Sequence, residues 1–485
     1  MDNHSPIEFG TDGIRGIAGE YPLDPATVLR IGRAIGAWLR GKVKGYKPRV
    51  IVGHDTRISG HMLLFALVGG LLAEGIDVMD ATVMTTPGIA YLTRLSKFDL
   101  GIVISASHNP ASQNGIKLFG ADGFKVADED QSAIEGRIAG NTPEVAAKAM
   151  GQFYRSMASQ DHFVNFLATA FDDNAILNNL AIVLDCANGA ATPVAGDAFH
   201  RLGSSKLIEI NAAPDGLNIN VNAGSEHVRR DRTALHEAVE THNADLGIAF
   251  DGDADRVVFV TPGGMLIDGD HILGILALEM KANGKLPGNT VVATEMSNSG
   301  LEQFLKDHGI GLERTRVGDR YVMERMRENG FALGGEQAGH VIVLDDAHTS
   351  GDGIYVGLLV AALVARNKEN GGPSLQQLAS QITRYPQVIA SMQLTQRVNL
   401  EKVSGLATLR DDTLTQFDHK GRVNLRFSGT EPNLLRAMVE GGPKNDIEQV
   451  ISRAKALCQL IAQATDTSDP HIDIVDCATG AQVAQ

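Results

Sequence analysis

The apolar residues fall into short runs rich in valine and isoleucine. Each run leads into a glycine- and polar-rich loop and then a longer stretch with helical spacing. PRVIVGHDTRISG is followed by HMLLFALVGGLLAEG and a second apolar run, IDVMDATV. LAIVLDCANGAA repeats the form, with a helix ending AFHRLG and a strand at KLIEIN. NTVVATEMSNSG repeats it again, with the helix LEQFLKDHG and a strand near LERTRV. Short apolar runs bounded by turn residues read as buried strands, and strand–helix–strand units imply parallel strands with helices on the sheet faces. Three copies predict three related α/β domains. Gly75, Gly203 and Gly309 mark where the helices stop.

The pattern changes at both flanks of the third unit. Residues 125–175 read as amphipathic and mostly helical, carrying the first domain into the second. KENGGPSLQQLAS, near residue 370, marks a boundary. Beyond it, strands at VIASMQLTQ and GRVNLRFS and a helix at NDIEQVISRAKALCQLIAQA give an α+β pattern. The expected domains are 1–165, 166–268, 269–375 and 376–465, with 466–485 as a weakly patterned tail.

Composition narrows the functional classes. A chain of 485 residues is too long for one ordinary domain. The net charge of -15 makes a poor nucleic-acid binder, and an anionic substrate would need a local basic pocket. Three cysteines without metal spacing suggest a reducing compartment. MDNHSPIEFGTDG has no secretory pattern, and the longest apolar run, Ile354 to Val364, is too short for a bilayer. The cytoplasm is the expected location.

Candidate chemistry gathers at strand ends. In FDGDADRVVFV, Asp251, Asp253 and Asp255 share one turn between two apolar runs. Such carboxylates repel unless a cation sits among them, and oxygen-only ligands favour a hard ion such as Mg²⁺. Arg256 and Pro262 occupy the sixth and twelfth positions, which excludes an EF-hand. A solvated acidic turn is the alternative. ISASHNP puts Ser107 at the end of a buried strand but lacks the hydrolase frame. NGIKLFG supplies Lys117, a base if desolvation lowers its pKa. FGTDGIRG and GHDTRISG supply Arg15 and Arg57. RVGDRYV holds Gly318 and Asp319, and GGEQAGH holds Glu336 and His340, which can hold hydroxyls and manage a proton. In RFSGTEPNLLR, Arg426, Ser428, Gly429, Thr430 and Arg436 can form an anion nest without a nucleotide-binding signature.

The joint occurrence of these stretches, in this order from Phe9 to about Gly441, resembles the α-D-phosphohexomutases. The resemblance implies three α/β domains with mixed sheets and a C-terminal α+β, TATA-box-binding-protein-like domain around a central cleft. It implies a phosphorylated Ser107 that gives its phosphoryl group to a hexose phosphate, forming a sugar 1,6-bisphosphate intermediate that also serves as activator. Mg²⁺ would be held by Ser107's phosphate, Asp251, Asp253 and Asp255. Lys117 and His340 would be the acid/base groups, with Arg15 near the reaction centre and Arg256 as a second cation. Gly318, Asp319 and Glu336 would meet the substrate, and Arg426, Ser428, Gly429, Thr430 and Arg436 the non-reacting phosphate. DGLNIN, MSNSGLE, VGDRYV and GGEQ resemble the branch that interconverts glucosamine 6- and 1-phosphates on the route to UDP-N-acetylglucosamine. The expected partners are a small hexose phosphate and a second copy in a homodimer, with no nucleic acid or membrane.

Three features depart from that pattern. Ala338 stands where the family usually has Ser, VNAGSEH replaces a segment with Cys and Thr-His-Pro, and Asn433 is an extra residue before Leu434. The first two leave sugar selectivity open between glucosamine and the mannose or glucose phosphates. A non-catalytic sugar-phosphate sensor would have lost the serine or a metal ligand, and this chain has lost neither. A phosphatase or kinase would need an aspartyl nucleophile or a nucleotide loop, and the sequence resembles neither.

Overall fold

The computed structural model describes residues 5–10, 12–140, 149–428, 433–468 and 470–483. The apolar runs are strands, and four sheets contain them. The first sheet holds β1 (Ile14–Ile17), β2 (Arg49–His54), β3 (Asp77–Val83), β4 (Leu100–Ile104), β5 (Gln113–Gly120) and β6 (Phe153–Arg155), in the order β1-β5-β4-β2-β3-β6. The second holds β7 (Ala181–Asp185), β8 (Lys206–Ile210), β9 (Leu246–Phe250), β10 (Val257–Val260) and β11 (Leu266–Ile267), in the order β11-β10-β9-β7-β8. The third holds β12 (Thr290–Thr294), β13 (Gly311–Thr315), β14 (Leu333–Gly335) and β15 (Val341–Val343), in the order β13-β12-β14-β15.

These three sheets share one device. Each has a parallel core, and its last parallel strand turns back into an antiparallel one: β4 into β5, β9 into β10 and β14 into β15. The three turns are the serine loop, the aspartate turn and the Glu336–His340 turn. All three stand at the carboxyl ends of parallel strands, where α/β sheets present their ligand sites. Gly75, Gly203 and Gly309 follow their helices with φ of +82°, +89° and +64°. That left-handed conformation is costly for a residue with a Cβ, so glycine ends the helix.

The fourth sheet is wholly antiparallel: β16 (Gln387–Gln393), β17 (Arg422–Phe427), β18 (Leu434–Glu440) and β19 (Ile472–Asp476), in the order β17-β18-β16-β19. The helix Ile447–Ala464 covers it. One sequence expectation needs correction here. The stretch 466–485 is not merely a tail, because Ile472–Asp476 forms edge strand β19 against β16. Ile472 and Ile474 alternate into the core with polar neighbours, a period too short to stand out among the surrounding polar residues. Likewise β6 interrupts the expected helical connection and pairs with β3.

The apolar cores show how the parts are joined. One core runs continuously through the second and third sheets and reaches Val103 and Phe119 of the first. The first sheet adds its own core beneath β2, β4 and the helix Pro25–Lys42. The fourth sheet's core contains only residues from Val388 to Ile474. The first three units are thus joined by shared apolar packing, whereas the fourth stands on its own core. Among the described residues no helix is long and apolar enough to cross a membrane, and Ile354–Val364 lies buried in the helix Gly353–Asn370.

Candidate active site

Ser107 is held in place before any ligand arrives. Its φ is +52°, an unusual conformation for a non-glycine residue. Such strain persists only where the surroundings over-determine it. Here they do. Arg57 donates to the carbonyls of Ser107 (2.9 Å), Asn109 (2.7 Å) and Pro110. Asn220 Nδ2 also donates to the Ser107 carbonyl, at 2.9 Å. Ser105 Oγ accepts from the Ser107 N–H at 2.9 Å and donates to Asp55 Oδ2 at 2.6 Å. Asp55 in turn pairs with Arg57 Nε at 2.9 Å, both side chains fully buried. Arg57 therefore does not face the cleft as a ligand contact; it braces the serine loop from behind.

The aspartate turn meets that loop directly. Ser107 Oγ donates to Asp251 Oδ2 at 2.5 Å. Gly252 permits the approach, since a Cβ there would lie 2.5 Å from the Ser107 carbonyl oxygen. Ligand atoms of Asp251, Asp253 and Asp255 lie within 4.8 Å of one another. All three residues are buried, and Asp253 Oδ1 and Asp255 Oδ1 have no hydrogen-bond partner. Burial pushes the Asp251 carboxyl well up, and the Asp255 and Asp253 charges add to the rise. Buried, partly unpartnered carboxylates repelling one another are a donor set that fits a hard divalent cation.

Lys117 reaches this cluster from β5. Its ammonium lies 2.8 Å from Asp253, 3.0 Å from Asp12 and 3.5 Å from Asp255. Burial disfavours its charge, but Asp12, Asp253 and Asp255 outweigh burial and raise its pKa. Desolvation does not lower it here: the three carboxylates favour the ammonium form. His340 behaves alike, with Asp255 on Nδ1 and Asp319 on Nε2, each at 3.7 Å. Burial opposes its charge, yet Asp255, Asp319 and Glu336 lift it to about 9. His108 does the opposite. Its Nδ1 is 3.3 Å from Ser107 Oγ, and Arg256, then burial, push it down to about 3, leaving a neutral ring.

A cleft of about 490 Å³ opens beside these groups. Arg15, His108, Asp255, Arg256, Gly318, Asp319, Glu336 and His340 line it. Arg15 pairs with Asp12 and Arg256 Nε lies 3.9 Å from Asp255, while the buried Nε atoms of Arg15 and Arg256 make no hydrogen bond. Glu336 accepts from the Gly318 N–H at 3.2 Å, which joins the two loops of the third unit. Thus the serine loop, Lys117, the aspartates, Arg15, Arg256 and both loops of the third unit meet at one place.

The fourth unit's loop does not. None of Arg426, Ser428 and Arg436 lines the cleft, and Gly429 and Thr430 lie outside the described residues. Arg426 and Arg436 are directly opposed across β17 and β18, and burial, then Arg436, lowers the Arg426 pKa. Two facing guanidiniums are a ready anion site. The extra Asn433 is absorbed by a left-handed φ of +55° at the start of β18.

Three contributors escaped the sequence reading. Lys125 bridges Asp12 (2.9 Å) and Asp319 (2.7 Å), tying the first unit to the third. Thr86 donates to Asp253 Oδ2 at 2.6 Å. Glu226, within the divergent VNAGSEH segment, pairs with Arg229 and Arg230 and is drawn down to about 2 by Arg229, Arg256 and Arg230 against the effect of burial. Lys125 and Thr86 meet partners remote in sequence, and Glu226 feels Arg256 from a different part of the chain.

Comparison with known proteins bears on this geometry. The chain matches four domain families described as Phosphoglucomutase/phosphomannomutase: alpha/beta/alpha domain I over residues 6–144, domain II over 161–264, domain III over 268–385 and the C-terminal domain over 391–456. It is 44% identical to a phosphoglucosamine mutase of Citrifermentans bemidjiense, covering 94% of this chain and 97% of that protein. It is 41% identical to one of Symbiobacterium thermophilum, covering 94% and 99%. A crystal structure of a phosphoglucomutase/phosphomannomutase family protein from Burkholderia thailandensis superposes with a TM-score of 0.73 at 25% identity, covering 95% of this chain and 98% of that one.

Proposed function

We propose, for a chain that belongs to the phosphoglucomutase/phosphomannomutase family, the α-D-phosphohexomutases, that it interconverts glucosamine 6-phosphate and glucosamine 1-phosphate. The observation that carries this reading is the strained Ser107, its Oγ 2.5 Å from Asp251 and its loop braced by Arg57. The choice of sugar follows the curated relatives, which are phosphoglucosamine mutases at 41–44% identity.

Ser107 carries a phosphoryl group in the resting enzyme. The free hydroxyl of the bound sugar phosphate attacks phosphorus. A new P–O bond forms to the sugar as the P–O bond to Ser107 Oγ breaks, giving the 1,6-bisphosphate. The bisphosphate reorients, and its other phosphoryl group returns to Ser107, leaving the isomeric monophosphate. The charged Lys117 or His340 is suited to supply a proton. Arg15 and Arg256, whose side chains line the cleft, hold the equatorial oxygens. Asp251, Asp253, Asp255 and the phosphoserine would hold Mg²⁺, which when bound would supply positive charge against the transferred group. Gly318, Asp319 and Glu336 orient the sugar. Arg426, Ser428, Gly429, Thr430 and Arg436 hold the distant phosphate in either orientation. Because Arg426, Ser428 and Arg436 do not line the cleft, closure would carry the fourth unit inward on its separate core.

The test is a comparison of kcat/KM for the 6-phosphates of glucosamine, glucose and mannose, each with matched bisphosphate activator. Glucosamine phosphate should lead. If it is the poorest of the three, the assigned substrate is wrong.

A further inference from the structure

Behind the sugar-facing turn, two lines of contact run from the end of the chain and converge on Gln337, which is itself buried. Along the first, Arg384 forks. One arm donates to Ala478 O at 3.3 Å, and the other donates to Asp268 Oδ2. Asp268 caps the helix Gly269–Ala282. The first residue of that helix, Gly269, donates its N–H to Gln337 O at 3.1 Å. There is no slack at this junction, since a Cβ on Gly269 would lie 1.9 Å from Glu336 O. Along the second line, the Cys477 N–H donates to Gln387 O at 2.9 Å. The Gln387 side chain then meets Gln337 Nε2 at 3.5 Å.

Cys477 and Ala478 belong to a hairpin that begins with β19. Its turn is closed by Gly480 N to Asp476 O at 2.8 Å and by Val483 N to Ile474 O at 2.8 Å. Gly480 packs on the backbone of Arg229 and Arg230 in the second unit. This hairpin lies beyond residue 456, where the match to the family's C-terminal domain ends. The hairpin therefore touches the second unit, is paired into the fourth and reaches the third through Arg384.

We propose that the C-terminal hairpin is a strap, and that Arg384 is a positioning residue through which it holds the Glu336–His340 turn against the sugar. This rests on the reading of that turn as sugar-facing. The rigid cap–turn junction passes any displacement of the strap to Glu336. Loosening it weakens binding of the sugar while leaving phosphoryl chemistry at Ser107 in place.

Two variants of the full enzyme test this: a chain ending at Thr467, and Arg384→Lys. The lysine keeps the charge but cannot fork to both Asp268 and Ala478. In both, KM for glucosamine 6-phosphate should rise about tenfold, with kcat changed by less than about threefold. Ser107 phosphoryl content by intact mass should be unchanged, and amide hydrogen exchange at 336–340 should accelerate. Should the shortened chain fail to fold, Arg384→Lys decides alone, because it leaves β19 intact. Unchanged exchange together with unchanged KM in Arg384→Lys overturns the proposal, as does a fall in kcat at constant KM. Exchange does not depend on which sugar is the substrate. A wild type inactive on glucosamine phosphates would defeat the proposed function, whereas wild-type exchange in the variants would defeat the strap.

Discussion

Arg57→Met strips the brace from the serine loop. The substitution keeps an unbranched side chain of similar length, so the cavity term is small. It leaves Asp55 without its buried partner and takes one donor from each of three loop carbonyls, which keep a second donor from Asn220 or Gln113. Breaking one side of a buried pair costs about 3–5 kcal/mol, and each lost hydrogen bond adds roughly 1 kcal/mol or less after relaxation. The expected destabilisation is roughly 4–7 kcal/mol. At about 2–4 °C per kcal/mol for a unit of this size, the transition of the first unit should fall on the order of 10–20 °C. The pH dependence carries the diagnosis. Burial raises the Asp55 carboxyl, while Arg57 and the Ser105 hydroxyl pull it back. Without Arg57 the folded-state pKa rises further and the unfolded value does not change. An acid whose folded pKa is raised loses stability as pH rises toward that pKa. The deficit of the variant should therefore be larger at pH 8 than at pH 5, measured by thermal and urea unfolding of the full chain. An equal deficit at both pH values would refute the charge argument and leave only lost packing.

Two further outcomes follow from buried charge elsewhere. Asp352 caps the helix Gly353–Asn370 by accepting from the Tyr355 N–H at 2.9 Å, and burial lifts its carboxyl to about 6. Its ionisation cost is absent below about pH 4, the ordinary unfolded value, and complete above about pH 6. Asp352→Asn keeps a capping oxygen, so it should stabilise by about 1–3 kcal/mol at pH 8 and by nothing at pH 4 in unfolding titrations; equal effects at both would contradict this. Lys117→Met removes the ammonium that offsets Asp12, Asp253 and Asp255. Its cost, about 3–5 kcal/mol in chelator, should shrink in saturating Mg²⁺, because the ion supplies the missing positive charge. The same loss in both buffers would mean that Lys117 and the ion do not share these carboxylates.

The sequence was most legible where chemistry sits at the end of a buried strand. Ser107, Asp251, Asp253, Asp255, Glu336 and His340 each follow an apolar run, and the structure brings them to one place. That pattern is local, so a linear reading finds it. What was illegible depends on contacts between distant segments. Lys125 gains meaning only when Asp12 and Asp319 close around it, and Glu226 only when its helix turns toward Arg256. The protonation of Lys117 depends on contacts of the same kind. Burial alone would neutralise it, and the three carboxylates that reverse the outcome come from other parts of the chain. Strand β19 was hidden by its short period and polar neighbours, although it pairs with β16.

The central claim is that Ser107 stores and returns the phosphoryl group. Intact-mass analysis of the purified protein, with peptide mapping and parallel mutase assays, tests it most directly. The account predicts a single phosphoryl adduct on Ser107, and loss of both the adduct and mutase activity in Ser107→Ala. A Ser107→Ala protein that keeps full mutase activity would contradict it.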